Sequence, residues 1–175
     1  MCVSHLSPPH YRDDHKAYVT VNDKTCWTKS FSGLDGKQQC GPVTTDGFGE
    51  QSVAVTCEVQ SLSGKLKIRV FTDLDQDLSD ESFGIDNVVV SQITFPAITA
   101  KFDKADDFEG WNCGQIKACG TYGNLCGGQA VKGKGDDITK TFDVPSGTYL
   151  VTLDFIAIDS WFVRSRKCAV VVFSL

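Results

Sequence analysis

Along Lys65-Leu66-Lys67-Ile68-Arg69-Val70, apolar and cationic residues alternate, so Leu66, Ile68 and Val70 share one face of an extended chain. Ser52 to Gln60 repeats the period, with Val53, Val55, Cys57 and Val59 pointing one way. Lys16 to Val21, Thr25 to Phe31 and Ile138 to Phe142 read as strands in the same manner. Thr148 to Ile158 is apolar on both faces, Tyr149, Val151, Leu153 and Phe155 against Leu150, Ile156 and Ile158, which predicts a central strand. Val88 to Val90 and Ala169 to Phe173 are apolar and mostly β-branched without alternation, as expected of strands covered on both faces.

Turn signals separate these runs: Leu34-Asp35-Gly36, Asp46-Gly47, Ser63-Gly64, Gly133-Lys134-Gly135 and Pro145-Ser146-Gly147. Nowhere do apolar residues recur at helical spacing over three turns. The pattern predicts an all-β protein, an antiparallel β-sandwich of jelly-roll type. Ser91 to Ala105 is weakly patterned, contains a proline and reads as a linker. Cys113 to Gly135, rich in glycine and cysteine, is a long excursion that folds only if pinned.

Composition changes this picture in two ways. A net charge of −5, with the lysines scattered singly along the strands, disfavours a nucleic-acid partner, which needs a Lys/Arg face for the phosphate backbone. Eight cysteines, at positions 2, 26, 40, 57, 113, 119, 126 and 168, point to disulfides in an oxidising compartment, because no Cys-x-x-Cys knuckle is present and the three histidines all lie within the first fifteen residues. Cys40 with Cys57, flanking a hairpin, and Cys119 with Cys126, bracketing a glycine-rich loop, are the expected pairs, although spacing alone does not fix connectivity. No secretory signal and no membrane-spanning stretch is legible, so an extracellular composition without a leader predicts a fragment of a larger surface protein.

The candidate chemistry is concentrated in an acidic run. Asp73, Asp75, Asp77, Asp80, Glu81 and Asp86 place six carboxylates within fourteen residues, which repel one another unless they are solvated or neutralised. Calcium is a natural neutraliser, since it takes six to eight oxygens in flexible geometry. The spacing starts like an EF-hand, but Leu78 replaces its glycine, Gly84 replaces its closing glutamate, and the flanks are strands. A solvated turn whose aspartates cap backbone groups is the alternative. Asp77, Asp80, Glu81 and Asp86 are the expected calcium ligands in this run.

Ser82-Phe-Gly-Ile-Asp-Asn-Val88 resembles the closing strand of jelly-roll modules in carbohydrate-binding and MAM-like adhesion domains, and Phe108-Glu-Gly-Trp111 resembles their opening strand. With Gly147-Thr-Tyr and Ile158-Asp-Ser-Trp161, the set is similar to repeated modules of large cell-surface proteins of unicellular eukaryotes. The closing motif precedes the opening one. The chain therefore reads either as the back half of one module followed by the front half of the next, or as a circularly permuted module. Both predict one sandwich over 14–161, built from a back half 14–90, a linker 91–105 and a front half 106–161, with 1–13 and 162–175 outside the pattern. The resemblance implies calcium held between Glu109 and Asp86.

Exposed aromatics could supply a platform for sugar rings, and Tyr122 and Trp161 are the candidate ligand contacts. His5, His10 and His15 recur every five residues, matching neither a helix nor a strand face, and read as solvated. Gly-x-Ser-x-Gly, P-loop and His-Glu-x-x-His motifs are absent, and acids crowded in one loop are better placed to hold a cation than to flank a sugar. The expectation is a non-enzymatic, calcium-stabilised extracellular module that binds a glycan or a cell-surface protein. A ligand-free spacer repeat of a cell coat is the alternative.

Overall fold

The computed structural model describes residues 15–31, 36–41, 49–62, 64–92, 95–159 and 161. They form ten strands: β1 (His15–Val21), β2 (Lys24–Phe31), β3 (Gln51–Ser61), β4 (Lys65–Thr72), β5 (Glu81–Gln92), β6 (Phe95–Ala100), β7 (Ile116–Ala118), β8 (Asn124–Gly127), β9 (Asp137–Asp143) and β10 (Gly147–Asp159). A single 3-10 turn, Gly120–Tyr122, precedes β8. Two antiparallel sheets pack face to face, one ordered β2-β1-β4-β9, the other β3-β10-β5-β8-β7 with β6 added to β5. The protein is an all-β sandwich.

Alternation in the sequence becomes inside and outside here. Ala17, Val19 and Val21 of β1 and Leu66, Ile68 and Val70 of β4 are buried against Val55, Phe83, Ile85, Val151, Leu153 and Phe155 of the opposite sheet. Asn22 and Asp23 both take positive φ, 50° and 63°, which gives the β1–β2 hairpin the twist its two strands need. β10 is central as expected: its inner residues join the main core, while Ile156 and Ile158 pack on the outer face with Leu125, Cys40 and Cys119.

Strands from both ends of the sequence share each sheet. β9 pairs with β4, β10 lies between β3 and β5, and one core cluster runs from Ala17 to Trp161. Two stretches differ from expectation. The segment read as a linker contains β6, whose Ile98, Thr99 and Ala100 pair with Val90, Val89 and Val88. The backbone is satisfied by β5 there despite the weak side-chain pattern. The acidic run is also divided, because β5 begins at Glu81 and carries Asp86 along the sheet. Ala169 to Phe173 lies outside the described residues.

Among the described residues three disulfides close the structure, with partners other than the two expected pairs. Cys57 bonds Cys26 and links the edge strands of the two sheets; Cys40 bonds Cys119; Cys126 bonds Cys113. Cys40 and Cys57 are close in sequence but lie on opposite faces of the larger sheet, Cys57 of β3 towards the core and Cys40 against the outer face, so each meets a distant partner. The sequence separations of 31, 79 and 13 residues correspond in the chain-entropy picture to about 3–4.5 kcal/mol each, taken singly. The glycine-rich excursion is pinned at both Cys113 and Cys119.

Candidate metal centre

The register of β1 against β4 builds the site. Ala17 pairs with Thr72, so the next residues along, Lys16 and Asp73, also meet: Asp73 N–H donates to Lys16 O at 3.2 Å, and Lys16 N–H donates to Asp73 Oδ1 at 2.6 Å. His15, the first residue of β1, is thereby carried to the mouth of the β4–β5 loop. It is 6 % exposed. Its Nδ1 lies 3.5 Å from Asp73 Oδ1, and its Nε2 lies 3.5 Å from Asp75 Oδ1 and 3.4 Å from Glu81 Oε1.

Glu81 is wholly buried. Its Oε2 accepts the main-chain N–H groups of Asp75 and Gln76 at 3.3 and 3.2 Å, and its Oε1 accepts Gln76 Nε2 at 3.3 Å. Burial pushes the Glu81 carboxyl upward, partly offset by His15 and by those two N–H groups. The loop is braced from outside by Lys134, whose Nζ donates to Asp75 O at 3.1 Å. Gly133 packs so closely that a Cβ there would stand 2.7 Å from Glu81 O. A polar cleft of about 500 Å³, lined by Asp75, Gln76, Asp77, Ser79 and Asp80, opens beside the cluster.

The expected calcium ligands are not gathered into one set. Among the described residues, the group of metal-ligating side chains that converges is His15, Asp75 and Glu81, with one donor atom of each within 4.8 Å of the others. Asp77 and Asp80 line the neighbouring cleft. Asp86 lies on the outer face of β5, opposite Asp154 of β10. Its Oδ1 is buried without a hydrogen-bond partner. Burial is the main reason its pKa is pushed up to about 6; the Asn87 N–H opposes this, and the charges of Asp154 and Asp103 add to it. Glu109 is exposed, and its main-chain oxygen accepts Lys140 Nζ. Asp159, half-buried at the end of β10, is likewise raised to about 6, by burial first and then by the charge of the buried Glu50.

Against known protein families, curated proteins and solved structures, the chain matches none. The site therefore has to be read from its own chemistry.

Trp161 is not a ligand platform. It is 1 % exposed, its Nε1–H donates to Ser82 O and Ile158 O at 3.0 and 3.1 Å, and its ring packs edge-on to Phe31 and Phe155. Its indole fills the end of the core, so no face is left for a sugar. Trp111 and Tyr149 are also buried, and Tyr122 is half-buried against the outer-face cluster of Cys40, Cys119 and Ile156. His15 reverses its expected role as a solvated residue. The signal that identifies it is the strand period: His15 falls on the same face as Ala17, Val19 and Val21. His5 and His10 lie outside the described residues.

Proposed function

We propose that the protein is a binding module of an extracellular protein, a disulfide-stapled β-sandwich whose β4–β5 loop is held in place by a divalent cation. The observation that carries this reading is a wholly buried Glu81 carboxylate facing Asp75 and a buried histidine, at the mouth of a cleft lined by further acids. A carboxylate taken out of water, as Glu81 is, is costly unless neutralised, and a cation does so while tying the loop to the first strand. Three disulfides fit an oxidising compartment. Among the described residues no helix is long and apolar enough to cross a membrane.

The surface best suited to a ligand is the groove of about 610 Å³ between the sheet edges at β2 and β3, where Asn22, Lys24, Thr25, Glu58 and Gln60 offer hydrogen-bonding groups beside the Cys26–Cys57 bridge. Two edge strands and mixed polar groups suit an extended polypeptide or a polar glycan. Burial of Trp111 and Trp161, with Trp27 half-buried against the core, favours a protein partner, or a ligand-free spacer role, over a sugar-stacking lectin.

A thermal melt of the oxidised protein, first with chelator and then with saturating divalent metal, tests the cation. A ligand at a hundred times its dissociation constant adds about 2.7 kcal/mol, a rise of roughly 5–10 °C for a domain of this size. An unchanged midpoint with every metal rejects the reading. A glycan array in the supporting metal separates lectin from spacer, because a spacer retains no sugar class.

A further inference from the structure

We propose that His15, Asp75 and Glu81 form a transition-metal site of the zinc class, with Asp73 positioning the imidazole from behind. This rests on the reading of the module as cation-stabilised and goes further by assigning the ion. Three observations support it. The first is the donor set. Calcium and magnesium take oxygen, whereas an imidazole nitrogen beside two carboxylates favours zinc and its neighbours.

The second is distance. Two donors each about 2.1 Å from a tetrahedral ion stand about 3.4 Å apart. His15 Nε2 is 3.4 Å from Glu81 Oε1 and 3.5 Å from Asp75 Oδ1, and all three donor atoms lie within 4.8 Å of one another. The buried Nε2 has no hydrogen-bond partner although it is aimed at both carboxylates. A metal ion would give that nitrogen a partner.

The third is the outer shell. A zinc-bound histidine commonly turns its other ring nitrogen towards a carboxylate, which fixes the ring and raises its basicity. Asp73 Oδ1 stands 3.5 Å from His15 Nδ1 and is itself held by Lys16 N–H, while Asp73 Oδ2 accepts the Tyr18 hydroxyl at 3.3 Å. The Glu81 oxygen turned away from His15 is held by two main-chain N–H groups, so its carboxylate is oriented too. Three protein donors leave a fourth position for water or an outside ligand, beside the cleft lined by Asp77 and Asp80. A protonated imidazole could neutralise the same carboxylates without metal, and the experiment separates the two.

The full, untagged, oxidised chain is stripped with chelator, dialysed against zinc, calcium or magnesium, and assayed for bound metal and melting midpoint. The expected result is one zinc per chain and a midpoint several degrees higher, with cobalt giving the strong visible absorption of a tetrahedral site. Asp73→Asn should weaken zinc binding about 10- to 100-fold while keeping one site. His15→Gln should abolish zinc binding and the cobalt colour, whereas the His5→Gln/His10→Gln double variant should retain both. If His15→Gln does not fold, Asp75→Asn, at a half-exposed position, must show the same loss of zinc binding. Stabilisation by calcium but not zinc overturns the zinc assignment and leaves the cation-stabilised module standing. No response to any metal overturns both. Zinc binding that survives in His15→Gln overturns this ligand set.

Discussion

Two acidic regions of this sandwich solve the same problem differently. At the β4–β5 loop, the buried Glu81 carboxylate faces an imidazole and two main-chain N–H groups. On the outer face of the larger sheet, buried Asp86 has the Asn87 N–H and the charge of Lys101 in its favour, with Asp154 and Asp103 against it, and one of its oxygens has no partner. Burial raises both carboxyls. The first region offsets the cost with groups that persist on ionisation, whereas the second leaves more of it uncompensated, so that Asp86 takes up a proton already near pH 6. A cluster of acids is therefore not a site by virtue of its charge; the donors around it decide what it can hold.

The largest effect should come from breaking the first region. Glu81→Ala removes the acceptor for three N–H donors and leaves His15 facing a void, which should cost about 3–5 kcal/mol, a fall in melting midpoint on the order of 10 °C. A fall of a degree or two would mean that the loop is held by something else. The second region should respond in the opposite direction. Asp86→Asn removes a carboxylate that folding penalises, and should stabilise the protein at pH 7 by about 1–3 kcal/mol, while its zinc response stays that of the parent.

The pH dependence follows from the sign of the Asp86 shift. Its folded pKa of about 6 lies above the ordinary 3.8, so the folded state takes up a proton first as pH falls. Stability from this group is lowest above pH 6, rises as the pH drops through 6, and levels off below 3.8, where the unfolded chain is protonated as well. Asp159, also at about 6, contributes with the same sign. Melts at intervals from pH 7.5 to 4 should rise on acidification, with a shallower slope in Asp86→Asn. The smallest effect belongs to Asp154→Asn, which removes one neighbouring charge and should lower the Asp86 pKa by less than about one unit. A carboxyl-carbon NMR titration reads this directly, and an unmoved Asp86 would show that the Asp154 charge does not contribute to its value.

Much of the fold was legible because strands buried on one face must alternate. β1, β3, β4, β9 and β10 appear in the sequence almost at their observed limits, and the two apolar faces of Thr148 to Ile158 announced the central strand. β7 and β8 were not legible. At three and four residues, in a glycine- and cysteine-rich stretch, they are too short to show a period and exist because β5 offers an edge and two disulfides hold them there. β6 was hidden by Pro96 for the same kind of reason.

The site divides along the same line. Sequence alone determined that the chain is all-β, that it uses disulfides, and that its acids crowd into 73–86, since period, composition and local charge density are properties of neighbours in the chain. It also held the clue to His15, two residues before Ala17 on the inward face of β1. Only the tertiary structure decided which cysteines bond, that Trp161 closes the core, and that His15 meets Asp75 and Glu81 while Asp86 faces Asp154 instead. Those outcomes depend on the register of strands distant in sequence, where a shift of one residue would turn each side chain to the opposite face.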